Sequence, residues 1–162
     1  MILGITAHRP SRLGTQRASL RSLTKNYLVE HRPTLIWSGA ALGGDQDICG
    51  IALRLGIPYA LAIPFPGQAA HWIKTEKQVY EQLLLRANLI EVVSKVDPHG
   101  RAEARQMLFA RNAFLVAQVE RLLAWYDGRP RGGTAHAVGL ANRTGIDVAI
   151  IWPKRSPQSL LP

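Results

Sequence analysis

A glycine-rich stretch carries residue types that bind anions. It reads Ser38-Gly39-Ala40-Ala41-Leu42-Gly43-Gly44-Asp45 and follows a short apolar run. Small residues allow backbone N–H groups to approach a ligand closely. An acidic side chain at a helix start has two alternative roles, as a cap for the helix amides or as an acceptor for ribose hydroxyls. From this stretch we predict ligand contacts by Ser38, Gly39, Ala40, Gly43 and Asp45.

A second glycine-rich stretch, Gly132-Gly133-Thr134, opens another predicted helix. The free N–H groups and positive dipole end of a helix N-terminus favour phosphate, and Arg129 and Arg131 add positive charge. The alternative is a plain helix start that Thr134 caps. From this stretch and the strand end before it we predict ligand contacts by Asp127, Gly132, Gly133 and Thr134.

Two further groups follow or precede strands. Thr6, His8 and Arg9 end the first apolar run, where Arg9 suits a phosphate or carboxylate unless Pro10 merely makes a turn and leaves Arg9 solvated. Arg111-Asn112 lies inside a predicted helix, where Asn is mildly unfavourable. The pair either reaches a ligand or is an exposed polar pair. We predict ligand contacts by Thr6, His8, Arg9, Arg111 and Asn112.

The candidates for catalysis are Asp45, Asp127 and His136. A histidine ordinarily titrates near neutrality, although one at a wet helix end is often only a polar surface residue. The chain has no recognisable Ser/His/Asp signature and no Walker-type loop. It also lacks the strict Gly-x-Gly-x-x-Gly motif, which argues against an ordinary nicotinamide dehydrogenase. Scattered histidines and one cysteine predict no metal site.

The elements that position these groups alternate along the chain. Apolar runs predict strands at Ile2–Thr6, Thr34–Ser38, Tyr59–Pro64, Leu89–Val93, Arg121–Tyr126 and Asp147–Trp152. Amphipathic stretches predict helices at Thr15–His31, Asp45–Leu55, Ala69–Arg86, Ala102–Val119 and Thr134–Thr144. This alternation predicts an α/β, Rossmann-like fold: a mostly parallel sheet of about six strands with helices on both faces. Ligands of such sheets bind beyond the carboxyl ends of the strands.

Composition bounds the class of protein. The 162 residues, 47% hydrophobic, predict one Rossmann-like domain over residues 1–153 and a loose C-terminal tail over residues 154–162. The net charge of +9 attracts anions, or reflects a solvated arginine-rich surface. No secretory leader and no apolar run long enough to span a membrane are evident, and Cys49 is the single cysteine. We therefore expect a cytoplasmic protein with no membrane partner.

Taken together, these motifs resemble the SLOG superfamily, which unites DNA-processing protein A with the "lonely guy" phosphoribohydrolases. The similarity runs from Ile2 to Pro153 and is greatest to the small, single-domain YpsA-like branch found in bacteria and their phages. The resemblance implies a Rossmann-like fold that binds nucleotides or nucleotide-derived signals. Two residues depart from the pattern: Ala7 stands where the branch usually has Gly, and Ala137 where the hydrolases have Glu.

Three functions follow as hypotheses. The first is a sensor or sequestering protein that binds a nucleotide or nucleotide-derived ligand and needs no obligatory cofactor. The second is an N-glycosidase or phosphoribohydrolase-like enzyme in which Asp45, Asp127 or His136 replaces the missing glutamate. The third is single-stranded nucleic-acid binding, prompted by the charge and the DNA-processing relative. The resemblance also implies a homo-oligomer, a dimer or higher.

Overall fold

Six short apolar runs form the strands of one sheet in the computed structural model, which describes residues 1–153. The strands are Ile2–Ala7 (β1), Leu35–Ser38 (β2), Tyr59–Ile63 (β3), Leu89–Val92 (β4), Arg121–Trp125 (β5) and Asp147–Ile150 (β6). Every predicted strand is present, with ends that differ by two residues at most. The predicted tail, 154–162, lies outside the described residues.

All strand pairs are parallel, and their order across the sheet is β4-β3-β2-β1-β5-β6. The chain therefore builds outward from β1 to β4, crosses back, and adds β5 and β6 on the other side of β1. The direction in which strands are added to the sheet reverses between β1 and β5. Open α/β sheets form a crevice at this point of their carboxyl edge. The predicted α/β, Rossmann-like class is confirmed.

The helices connect the strands. They are Pro10–Leu13 (α1), Arg17–His31 (α2), Gly44–Arg54 (α3), Lys74–Arg86 (α4), Arg101–Ala117 (α5) and Gly133–Arg143 (α6), with a 3₁₀ turn at Gly14–Gln16. No helix within residues 1–153 combines the length and the apolar content that a membrane span requires.

Two hydrophobic cores flank the sheet because successive strand residues point to opposite faces. On β5, Leu123 and Trp125 join the core under α2, α3 and α4. Leu122 and Ala124 join the core under α5 and α6. Strands covered on both faces carry continuous apolar runs rather than alternating ones, which explains why these segments were visible in the sequence.

Two predicted helix starts were wrong. The helix expected from Thr15 is preceded by α1 and the 3₁₀ turn, because Pro10 starts a helix well at its first position and Gly14, at φ +47°, ends it. The helix expected from Ala69 begins at Lys74, where the Glu76 carboxylate accepts a hydrogen bond from the Ile73 N–H at 3.1 Å. The residues before Ile73 form turns instead.

Candidate functional site

A cleft of about 550 Å³ lies beside the carboxyl ends of β1 and β5, where the strand order reverses. This volume falls within the usual range of small-molecule sites. Segments from two separate strand ends share it, because Ala41 and Asp45 line it together with the first turn of α6. The predicted ligand-binding residues that line the cleft are Thr6, His8, Arg9, Asp45, Arg111, Asn112, Gly132, Gly133 and Thr134.

The floor of the cleft is polar although it is buried. Its buried polar residues are Thr6, His8, Asp45, Arg111, Asn112 and Thr134. They come from β1 and the residue that follows it, and from α3, α5 and α6, so the fold gathers them from across the sheet. Burying a polar group costs free energy unless it finds a partner. A cluster of this kind in an open cleft is the arrangement expected of a ligand-binding site.

Arg111 and Asn112 are buried, so the alternative of an exposed polar pair is wrong. The Arg111 Nε donates to Asn112 Oδ1 at 3.0 Å, and Nη1 donates to the Ala62 carbonyl at 3.4 Å. The guanidinium lies against Gly39, where an added Cβ would sit 1.4 Å from Nη1. Burial lowers the Arg111 pKa, while the Asp45 charge opposes that shift.

Asp45 lies in the first turn of α3 and makes no side-chain cap, so its alternative role as the helix cap is wrong. Burial raises the Asp45 pKa to about 6, and the charge of Arg111 and the backbone N–H groups of Ala41 and Ala7 limit the shift. One of its carboxylate oxygens, Oδ1, is buried and has no hydrogen-bond partner within residues 1–153. The cleft thus holds an acidic group with unused acceptor capacity.

The first turn of α6 faces the same cleft. Gly132 has φ +97°, a conformation that favours glycine, and it precedes the helix without any side-chain cap. The alternative of Thr134 as cap is therefore wrong, because the Thr134 hydroxyl caps no amide of this turn. Asn112 Nδ2 donates to the Gly133 carbonyl at 3.0 Å and ties α6 to α5. The uncapped N–H groups remain available to an anion.

His8, which lines the cleft, pairs with Asp127, which lies outside the lining. The His8 Nε2 lies 2.9 Å from Asp127 Oδ1, and His8 is buried. Burial lowers the His8 pKa despite the carboxylate beside it. Burial also disfavours the charged form of Asp127, but the Arg129 N–H and the His8 contact outweigh it and lower its pKa. The pair is best described as a neutral imidazole beside a carboxylate.

Four exposed arginines surround the cleft: Arg9, Arg12, Arg105 and Arg131. Beside them the Phe109 ring stacks on His136, with 3.9 Å between ring centroids and 7° between planes. The Arg105 guanidinium lies 5.2 Å from the Phe109 centroid. Sequence reasoning did not single out Arg105 and Phe109 as site residues. Their spacing was a usable signal, because residues 105, 109 and 112 share one face of a helix.

Five predicted site residues lie outside the cleft lining: Ser38, Gly39, Ala40, Gly43 and Asp127. Ser38 Oγ accepts a hydrogen bond from the Ala40 N–H at 3.1 Å and is buried. Gly43, at φ +100°, would bring a Cβ within 2.8 Å of the His8 carbonyl. Cys49 lies one turn beyond Asp45 and is fully buried; burial raises its pKa to about 12, although a hydrogen bond with Ser38 limits the shift.

Asp127 lines a neighbouring cavity of about 590 Å³ together with Arg12, Arg129 and Trp152. Ser11 and Arg12 separate this cavity from the cleft, since both residues line both. His136 lies beside the cleft rather than in its lining, and burial lowers its pKa. Of the three candidates for catalysis, only Asp45 lines the cleft itself.

The residue at the position of the hydrolase glutamate faces away from the cleft. Ala137 is 2% exposed and packs in the core under α5 and α6. The first turn of α6 holds no acidic residue. Within residues 1–153 the lining of the cleft has a single carboxylate, Asp45. The glutamate that the hydrolases use for glycosidic cleavage is therefore absent from this position.

Comparison with known proteins identifies the family. Residues 2–151 match the model of the YspA SLOG family. The chain belongs to this SLOG family. Among relatives, a UPF0398 protein of Shouchella clausii is 26% identical over 131 residues, which cover 77% of this chain and 67% of that protein. The SPβ prophage-derived protein YoqJ of Bacillus subtilis is 28% identical over 118 residues, 66% of this chain and 68% of YoqJ. The predicted resemblance is confirmed.

Two solved structures of other proteins share the fold of this family member. DNA processing protein A from Streptococcus pneumoniae superposes with a TM-score of 0.69 at 19% identity, covering 96% of this chain and 51% of that one. The Helicobacter pylori protein of the same name, described for its single-stranded DNA binding mode, gives a TM-score of 0.67 at 16% identity, covering 96% and 66%. This chain therefore spans about half of the pneumococcal protein. The predicted homo-oligomer stays a prediction.

Proposed function

We propose that this SLOG-family chain binds a nucleotide or nucleotide-derived ligand in the cleft, as a cytoplasmic sensor or sequestering protein. The observation that carries the proposal is the buried polar floor beneath an uncapped helix start. Stable folding alone does not require six buried polar side chains at one sheet edge, because each costs free energy when unpaired. Among the six, Asp45 Oδ1 has no partner within residues 1–153, and a ligand that donates a hydrogen bond to it satisfies it.

The phosphate of the ligand is assigned to the first turn of α6. Three features converge there: uncapped N–H groups, the Thr134 hydroxyl, and the side chain of Arg131 at the rim. Helix N-termini with glycine at the first positions bind phosphate through their amides and dipole. Arg9 and Arg12 on the β1 side of the cleft add positive charge that raises the local concentration of anions.

The base of the ligand is assigned to the Phe109 side of the cleft. Phe109 presents an aromatic ring that is already stacked on His136 and flanked by the Arg105 guanidinium. Aromatic and guanidinium planes stack on nucleobases with little dependence on base identity. The cleft therefore offers a phosphate end and a stacking end within one volume.

Replacement of Thr134 by Val tests the phosphate assignment. Thr134→Val keeps the shape of the side chain but removes the hydroxyl that is assigned to the ligand phosphate. We expect the affinity for the best nucleotide to fall about 10- to 100-fold, the usual value of a hydrogen bond to a charged group. Isothermal titration with adenosine monophosphate, ADP-ribose, NAD and cyclic dinucleotides measures it.

Thr144→Val is the matched control, because Thr144 directly follows the last residue of the same helix and its hydroxyl donates to the Leu140 carbonyl away from the cleft. Its affinity should equal that of the unmodified protein. If no compound of the panel binds tighter than about 1 mM, equivalent to roughly −4 kcal/mol, the proposal fails.

A second function, single-stranded nucleic-acid binding, is favoured by the similarity to the Helicobacter pylori protein and by the four rim arginines. If all four contact phosphates, log affinity should fall against log salt with a slope of about −3. Fluorescence anisotropy with a labelled oligothymidylate at rising potassium chloride measures the slope. A slope near zero, or no binding at low salt, rejects this second function.

A further inference from the structure

Asp45 and Arg111 line the same cleft and are both buried, yet their charges do not touch. No nitrogen of Arg111 lies within 4.0 Å of a carboxylate oxygen among the ion pairs of residues 1–153. A buried carboxylate and a buried guanidinium that face one cleft ordinarily form an ion pair, because burial of either charge without a partner costs free energy. Here both are held apart, with the open volume of the cleft beside them.

Asp45 and Arg111 can each form a further hydrogen bond. Asp45 Oδ1 is buried without a partner. The hydrogen bonds of Arg111 to the described residues use Nε and Nη1 and leave Nη2. One group therefore needs a donor and the other an acceptor. A hydroxyl satisfies both, because its O–H donates while its lone pairs accept.

The charge of Asp45 also restricts what binds beside it. A phosphate oxygen next to the carboxylate would repel it and offer no proton to Oδ1. The neutral, donor-bearing part of the ligand must then face Asp45, and the phosphate must lie toward α6 and the rim arginines. A sugar between a phosphate and a base has this order of groups.

Resting on the proposed function, we infer that Asp45 and Arg111 recognise a sugar hydroxyl, so that the cleft selects ribonucleotides over their deoxy counterparts. Asp45 accepts from the hydroxyl and Arg111 donates to it. Asn112 holds the guanidinium in place through its bond to Nε, and Gly39 leaves the space that the guanidinium occupies. The ligand class is a ribose phosphate with a free diol.

Isothermal titration with adenosine monophosphate and with 2′,3′-dideoxyadenosine monophosphate tests the inference. We expect the unmodified protein to prefer the ribonucleotide about 30-fold, the value of a hydrogen bond to a charged group. In Asp45→Asn the preference should fall to about 5-fold, because a neutral bond remains. Binding of the dideoxy compound should stay equal or tighten, since the repulsion of phosphate is gone.

Asp47→Asn is the matched control. Asp47 lies in the same helix turn and is buried, but its carboxylate pairs with Arg17 outside the cleft, at 2.6 Å from Nε. This variant should keep the full preference for the ribonucleotide. A merely structural role of Asp45 would weaken both compounds equally, which overturns the inference.

The two proposals fail in different ways. If both compounds bind with equal affinity to the unmodified protein, and Thr134→Val weakens both, the hydroxyl recognition is wrong while nucleotide binding stands. If neither compound binds, and no other compound of the nucleotide panel binds either, the proposed function itself is rejected.

Discussion

Replacing Trp125 by Ala should lower the free energy of unfolding by about 4 kcal/mol, a large part of the stability of a domain of this size. Trp125 is fully buried at the carboxyl end of β5, and its Nε1 donates to the Thr24 hydroxyl at 2.7 Å. The start of α3 rests on its ring, since a Cβ at Gly44 would lie 2.7 Å from Cε3. The truncation leaves a cavity and an unpaired buried hydroxyl.

Urea denaturation followed by circular dichroism measures this loss. Trp72→Ala is the control, because Trp72 is only partly buried and makes an edge contact with Tyr80. Trp125→Phe separates the two causes, since it keeps a ring but removes the donor to Thr24, and should cost about 1 to 2 kcal/mol. Equal losses for Trp125→Ala and Trp72→Ala would contradict the role assigned to Trp125.

Replacing Asp45 by Asn should stabilise the protein, in contrast to Trp125→Ala. We expect it to raise the free energy of unfolding at pH 7 by about 3 kcal/mol. Burial raises the Asp45 pKa in the folded protein to about 6, against an ordinary value of 3.8. The folded state then holds its proton more tightly than the unfolded state. The contribution of protonated Asp45 to the free energy of unfolding is complete at pH values below its ordinary pKa of 3.8. It is lost as pH rises through about 6.

The gain of Asp45→Asn should therefore shrink as pH falls and vanish near pH 4, where the wild-type acid is also neutral. Urea denaturation at several pH values between 4.5 and 7.5 measures the trend. Asp47→Asn should show no gain, because it removes the carboxylate charge and one of the two oxygens that accept hydrogen bonds from Arg17. A constant difference across this pH range, or a loss at pH 7, would contradict the assignment.

A stabilising change that removes ligand selectivity is the expected sign of a functional residue. Buried charges are retained at a cost to stability where they serve binding. The combination of a more stable Asp45→Asn protein and a weaker preference for ribonucleotides would show both sides of that exchange.

The sheet was largely predictable from sequence because its four central strands are buried on both faces, whereas the edge strands β4 and β6 are partly exposed. Continuous apolar runs such as Leu122–Trp125 mark such strands whatever their partners. The helix boundaries near Pro10 and Ile73 were less predictable. They depend on a single glycine at positive φ and on one acidic cap, which compete with amphipathic patterns that continue past them.

The candidate site was predictable in its location but not in its internal contacts. Strand-end motifs converge because parallel strands end at one edge. The glycines after β2 were interpreted as space for a ligand, whereas Gly39 makes room for the Arg111 guanidinium and Gly44 for the Trp125 ring. Such contacts join residues far apart in sequence, so composition and spacing carry no signal for them.

The burial of Cys49 has a practical consequence for studies of this cleft. Its thiol, one helical turn from Asp45, is protonated at neutral pH and shielded from solvent. Thiolates, not thiols, react with alkylating reagents, so labelling requires α3 to separate from the sheet. As the single cysteine of the chain, it is a native reporter of local opening. The rate at which Cys49 is modified therefore measures how often α3 separates from the sheet, without an engineered probe.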